Sequence, residues 1–265
     1  MKPLRLGAVS YLNTKPLVYG LDTIPEEFDV RFDVPAKCAE LLHAGKVDLG
    51  LIPAIEYLRG AEDYWIVPGV AIASEGDVAS VAVFSRKPID QVETIALDLS
   101  SRTSVALTGI LCRKRWGIAP AFTPTDPDLT AMLERADAAL VIGDPAMAID
   151  AAARGLHKID LGGEWNALTG LPFVYAMWTG RQGVAAPAQC AALRRAREQG
   201  EANLPRIADR VADGDAGQAE RALRYLRDNL KYGLGEREAA GLRRFHELAV
   251  EVGLAAAVKP LRFYP

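Results

Sequence analysis

The chain has 265 residues, 50% hydrophobic and 25% charged, enough to bury one large core or two modest ones, which excludes disorder and low-complexity assembly. With 31 Lys and Arg against 34 Asp and Glu, the net charge of -3 leaves no global basic footprint for nucleic acid. No apolar run approaches the roughly 18 residues needed to span a bilayer, so no membrane partner is expected.

The first 16 residues carry Lys2, Arg5, Asn13 and Lys15 and form no export-type apolar segment, so a cytoplasmic location is expected. Leu4–Val9 is a short apolar run that reads as a strand, followed by a polar turn and a short helix over Leu17–Leu21. Phe28–Val34 alternates as a strand, Pro35–Gly45 is helical, and Val47–Ile52 is a buried strand, which completes a βαβ unit. Trp65–Ala73 and Val78–Phe84 are strand-like, and Cys38, with no nearby Cys or His, is a reduced thiol like Cys112 and Cys190, leaving no metal-ligand spacing. After Arg86-Lys87-Pro88 a second series runs strand Thr94–Leu97, helix Thr103–Trp116, strand Ala121–Thr123, helix Asp126–Arg135, strand Ala138–Ile142 and helix Pro145–Arg154. Leu171–Trp178 reads as a return strand, and the arginine-rich remainder as three helices, Pro187–Leu204, Gln218–Tyr232 and Glu236–Gly253. The fold class is therefore α/β with two lobes and a cleft between them: residues 1–87 plus 176–265 form lobe 1 with a helical tail, and residues 88–175 form lobe 2.

In such sheets, ligands bind at the carboxyl ends of strands. Asp98–Val105 ends a strand in hydroxyls and one Arg before an apolar helix, so free N–H groups and the helix dipole there suit a carboxylate. Ser101, Thr103 and Ser104 are candidates for that anion site, though hydroxyls also serve as ordinary caps. Arg102 either clamps the anion or faces solvent. Ser10 and Asn13 follow the first strand on the opposite wall, and Pro53 opens the third strand end toward the cleft. Ser80 is a hydroxyl inside an apolar run, Gly143 and Asp144 end another strand, and Phe173 offers either an apolar wall or core. His43, His157 and His246 fall within or after helices, and no dinucleotide, P-loop, zinc-protease or serine-hydrolase motif occurs. The candidate site is rich in neutral donors, which favours a cofactor-free site and a small-molecule ligand.

The strings Ala8-Val9-Ser10-Tyr11-Leu12-Asn13-Thr14-Lys15-Pro16-Leu17, Asp48–Tyr57, Asp98–Ser104, Val141-Ile142-Gly143-Asp144 and Leu171-Pro172-Phe173-Val174 resemble those of MqnA-type chorismate dehydratases. The resemblance implies a type II periplasmic-binding-protein fold used as a cytoplasmic lyase. That enzyme converts chorismate to 3-[(1-carboxyvinyl)oxy]benzoate and water, the entry to the futalosine route to menaquinone. It further implies two carboxylate cradles, with Asn13 and Ser80 orienting the substrate while its own enolpyruvyl carboxylate acts as base. A carboxylate receptor of the same fold and the related dihydroxynaphthoate synthase are the alternatives.

Overall fold

A computed structural model describes residues 2–265. Its strands form two five-stranded sheets. In the first, β1 (Leu4–Val9) is parallel to β2 (Phe28–Asp33) and β3 (Leu49–Pro53), and β10 (Phe173–Arg181) runs antiparallel between β3 and β4 (Tyr64–Ser74). In the second, β6 (Thr94–Asp98) is parallel to β7 (Ala121–Thr125) and β8 (Ala138–Ile142), and β5 (Val81–Ser85) runs antiparallel between β8 and β9 (His157–Asp160). Strands buried on both faces, such as Leu49–Pro53 and Ala138–Ile142, are the ones whose sequences are unbroken apolar runs.

Helices α1 (Pro35–His43), α2 (Glu56–Arg59), α3 (Thr103–Leu111), α4 (Leu129–Arg135), α5 (Gly143–Ala148) and α6 (Leu161–Thr169) follow strand ends in the two lobes. Helices α7 (Pro187–Ala202), α8 (Leu204–Ala212), α9 (Ala216–Arg224) and α10 (Glu236–Glu251) make the tail. The sequence predicts three tail helices; the structure has four, because Pro205 cannot continue α7 but fits the first turn of α8. The expected Leu17–Leu21 helix is instead a 3₁₀ segment over Leu12–Val18. Strand β9 and helix α6 were not expected: β9 is an exposed edge carrying His157 and Lys158, and α6 contains two glycines that mask its helical pattern.

Both lobe boundaries also move. Val81–Ser85 already lies in the second sheet and Phe173–Arg181 wholly in the first, so the crossings fall in residues 75–80 and before Phe173 rather than at 87/88 and 175/176. One apolar cluster runs from Leu6 and Leu51 through Leu107 and Ile110 of α3 to Ile95 and Leu140, joining the lobes. Among the described residues, no helix is long and apolar enough to cross a membrane.

Candidate active site

The cleft lies between the carboxyl ends of β1, β3, β6 and β8, with polar groups at four places. The first is the crossing that leads from β4 to β5. The Asp160 carboxylate caps α6 by accepting from Gly162 and Gly163 N–H, and also accepts from Val78 N–H at 3.0 Å and Ala79 N–H at 2.7 Å. These bonds hold Ala79 at φ 66°, a left-handed conformation that costs a non-glycine residue about 1 kcal/mol. The next residue, Ser80, is thereby turned into the cleft, its carbonyl accepting from Gly143 N–H at 2.7 Å and its Oγ from the Tyr225 hydroxyl at 2.8 Å.

Asn13 lies in the 3₁₀ segment after β1 and lines the cleft; its Oδ1 accepts from the Thr14 hydroxyl at 3.3 Å, and its side chain also lies against the Tyr225 hydroxyl. The third group is the start of α3. Ser101 Oγ accepts from Ser104 N–H at 3.2 Å and Thr103 Oγ1 accepts from Ile55 N–H of the other lobe at 3.3 Å. A hydroxyl that accepts in this way still has its own proton to donate, so Ser101 and Thr103, together with the Ser104 hydroxyl, bring O–H donors to the space they line. The fourth is tyrosine. Tyr11 packs its ring on Gly143, where a Cβ would come within 2.8 Å, and Tyr175 bonds Ser74 at 3.0 Å in the buried floor. Val9, Pro35, Pro53, Ile72 and Ile142 supply apolar walls.

Among the described lining residues there is no Asp, Glu, His, Lys or Arg. Four sequence candidates fall outside the lining. Ser10 is exposed beyond the strand end, bonding Asp33 through its backbone. The Asp144 carboxylate accepts Leu12 N–H at 3.2 Å and so joins the lobes rather than facing the cavity. Phe173 is core, 5.1 Å from Trp165 and 5.0 Å from Phe245 by ring centroid. Arg102 corrects its expected role as an anion clamp: its guanidinium is taken up by Glu56 at 2.8 Å and Glu40 at 3.1 Å, two carboxylates of the first lobe.

The histidines also lie away from the cleft. His246 is fully buried under Ala54, and burial lowers it to about 4; His43 bridges Glu56 and Tyr64. Sequence reading missed Tyr11, Tyr175 and Tyr225. The Tyr225 signal was faint, a phenol within an otherwise aliphatic tail stripe beside Leu226.

The menaquinone biosynthesis family model matches residues 4–251. A curated chorismate dehydratase from Thermus thermophilus is 32% identical over 281 aligned residues, covering 100% of both chains. Among solved structures, protein AF1704 from Archaeoglobus fulgidus is 20% identical with a TM-score of 0.75, covering 95% of this chain and 98% of its own. The alkanesulfonate-binding protein SsuA from Xanthomonas axonopodis pv. citri, bound to MOPS, is 16% identical with a TM-score of 0.70, covering 96% and 95%. These likenesses show the two-lobed fold of periplasmic binding proteins.

Proposed function

Because the chain belongs to the menaquinone biosynthesis family, we propose that its cleft dehydrates chorismate to 3-[(1-carboxyvinyl)oxy]benzoate and water, the entry step of the futalosine route, in the cytoplasm. The observation that carries this reading is the lining itself: neutral N–H and O–H donors from both lobes, set in apolar walls, with no carboxylate or imidazole among the described lining residues. A substrate with two carboxylates is welcomed by such a lining and repelled by none of it.

The chemistry transfers the C3 proton to a base and then expels the C4 hydroxyl, which takes up that proton and departs as water as the ring becomes aromatic. The C3 hydrogen is vinylogous to the ring carboxylate, so the donors at Ser101, Thr103 and Ser104 stabilise charge that develops on that carboxylate as the proton departs. The base in this reading is the substrate's enolpyruvyl carboxylate, attached at C3 itself. Asn13 and Ser80 both line the cleft beside the Tyr225 hydroxyl, and in this reading they orient that carboxylate and the leaving hydroxyl.

The test is to mix the purified protein with chorismate, with and without chelator, and follow products by liquid chromatography and mass spectrometry. Loss of one water at equal rate in both is expected, and Asn13→Leu and Ser80→Ala, each folded by circular dichroism, should lose about 10²-fold in turnover. Wild-type turnover in both variants overturns the residue assignment. Chorismate returned unchanged by the parent protein overturns the reaction and leaves a carboxylate receptor.

A further inference from the structure

Tyr225 is the first residue of a π-helical turn, Tyr225–Asn229, that ends α9, and it comes from the tail rather than from either strand-end wall. Its hydroxyl donates to Ser80 Oγ at 2.8 Å, and both residues are almost wholly buried. The same tail stretch also grips the crossing at Asp77 and the end of β4 that leads into it at Ala73. Asn229 Nδ2 donates to the Asp77 carbonyl at 2.9 Å, and Lys231 exchanges both backbone hydrogen bonds with Ala73 at 2.8 and 2.9 Å. Asp160 holds the opposite side of that crossing.

From this arrangement we infer that Tyr225 is a positioning residue that aims the Ser80 hydroxyl proton into the cleft. A serine oxygen has one proton and two lone pairs. Tyr225 occupies a lone pair, and among the described residues Ser80 Oγ makes no other hydrogen bond, so its own proton is directed toward the space that Ser80 lines. Burial pushes the Tyr225 phenol above its ordinary value, which outweighs the opposing contributions of Ser80 and Asn13 and keeps the tyrosine a donor at every working pH. Without that donor the serine proton is free to turn back toward Tyr225's place, and Ser80 then offers the ligand a lone pair instead of a proton.

The inference rests on the dehydratase reading for its rate measurement. Four proteins test it: the parent, Tyr225→Phe, Ser80→Ala and the double variant, assayed for kcat and KM with chorismate. Tyr225→Phe is expected to lower kcat about tenfold with KM within threefold, and the double variant to match Ser80→Ala within twofold. Tyr232→Phe, which removes a buried hydroxyl of the same segment that donates to the Leu226 carbonyl, is expected to lower the melting temperature and leave kcat within twofold. Losses that multiply in the double variant, or a Tyr225→Phe protein with the parent kcat, overturn the inference. Should Tyr225→Phe not fold, Tyr225→Met takes its place in the same cycle. If the parent leaves chorismate unchanged, the dehydratase reading fails by itself; the cycle is then read on chorismate affinity by calorimetry, where additive losses overturn the positioning role.

Discussion

Glu56→Gln is the sharpest test of how the lobes hold the turn at the start of α3. Glu56 is 3% exposed; its Oε2 receives Arg102 at 2.8 Å and His43 at 3.2 Å, while Oε1 has Arg59 at 3.6 Å. Burial alone would raise this carboxyl, but His43 and the Arg102 and Arg59 guanidiniums outweigh it and hold Glu56 below its ordinary value. Removing one partner of a buried pair costs about 3–5 kcal/mol. Here glutamine keeps an acceptor for Arg102, and Glu40 remains as its second partner, so about 2 kcal/mol is the expected loss. For a chain of this length that lowers the melting temperature by about 5 °C. Because the folded carboxyl is depressed, its contribution is present above the ordinary value and lost as pH falls through the folded one. The gap between parent and variant therefore closes in acid. Arg102 also anchors the turn that carries Ser101 and Thr103 to the first lobe, so KM for chorismate should rise about 3- to 10-fold in both Glu56→Gln and Arg102→Gln, with kcat little changed. Calorimetry and steady-state kinetics read both quantities. If Arg102→Gln raises KM while Glu56→Gln leaves KM and melting temperature at parent values, the arginine touches the substrate and the cross-lobe anchor is wrong.

Gly143→Ala places a Cβ 2.8 Å from the Tyr11 ring at a residue whose φ is 70°. It should cost about 1–2 kcal/mol of stability from the left-handed backbone alone and lower kcat/KM about tenfold; unchanged kcat/KM would mean that the Tyr11 ring yields freely. His246, lowered by burial to about 4 from an ordinary 6.5, binds its proton in the unfolded chain before the folded one. Stability is therefore lost as pH falls from 6.5 toward 4, by about 3 kcal/mol in all, and a His246→Gln protein whose acid-side slope matches the parent's would refute that assignment.

What the sequence discloses follows from how local each feature is. β3 and β8 were legible because strands buried on both faces are apolar throughout, and β1 and β6 because only single polar residues such as Arg5 and Asp98 interrupt their runs, whereas β9, exposed at an edge, leaves no such trace. The hydroxyls of Ser101, Thr103 and Ser104 were legible because a strand end, free N–H groups and an apolar helix are consecutive in the chain. Ser80 was visible only as a hydroxyl in an apolar run, since the Asp160 carboxylate that turns it into the cleft lies 80 residues downstream and the Tyr225 phenol that bonds it 145.

Arg102 shows the same limit from the other side. A cation next to four hydroxyls reads as an anion clamp, but Glu56 is 46 residues earlier and meets it only when the lobes come together. A free helix start has no choice of partner and can be read locally; a charge takes whichever opposite charge the fold brings closest. That is why the cleft keeps neutral donors while the Arg102 cation beside it is spent on joining the lobes, and why, in the dehydratase reading, a dianionic substrate meets groups that do not have to be neutralised when it leaves.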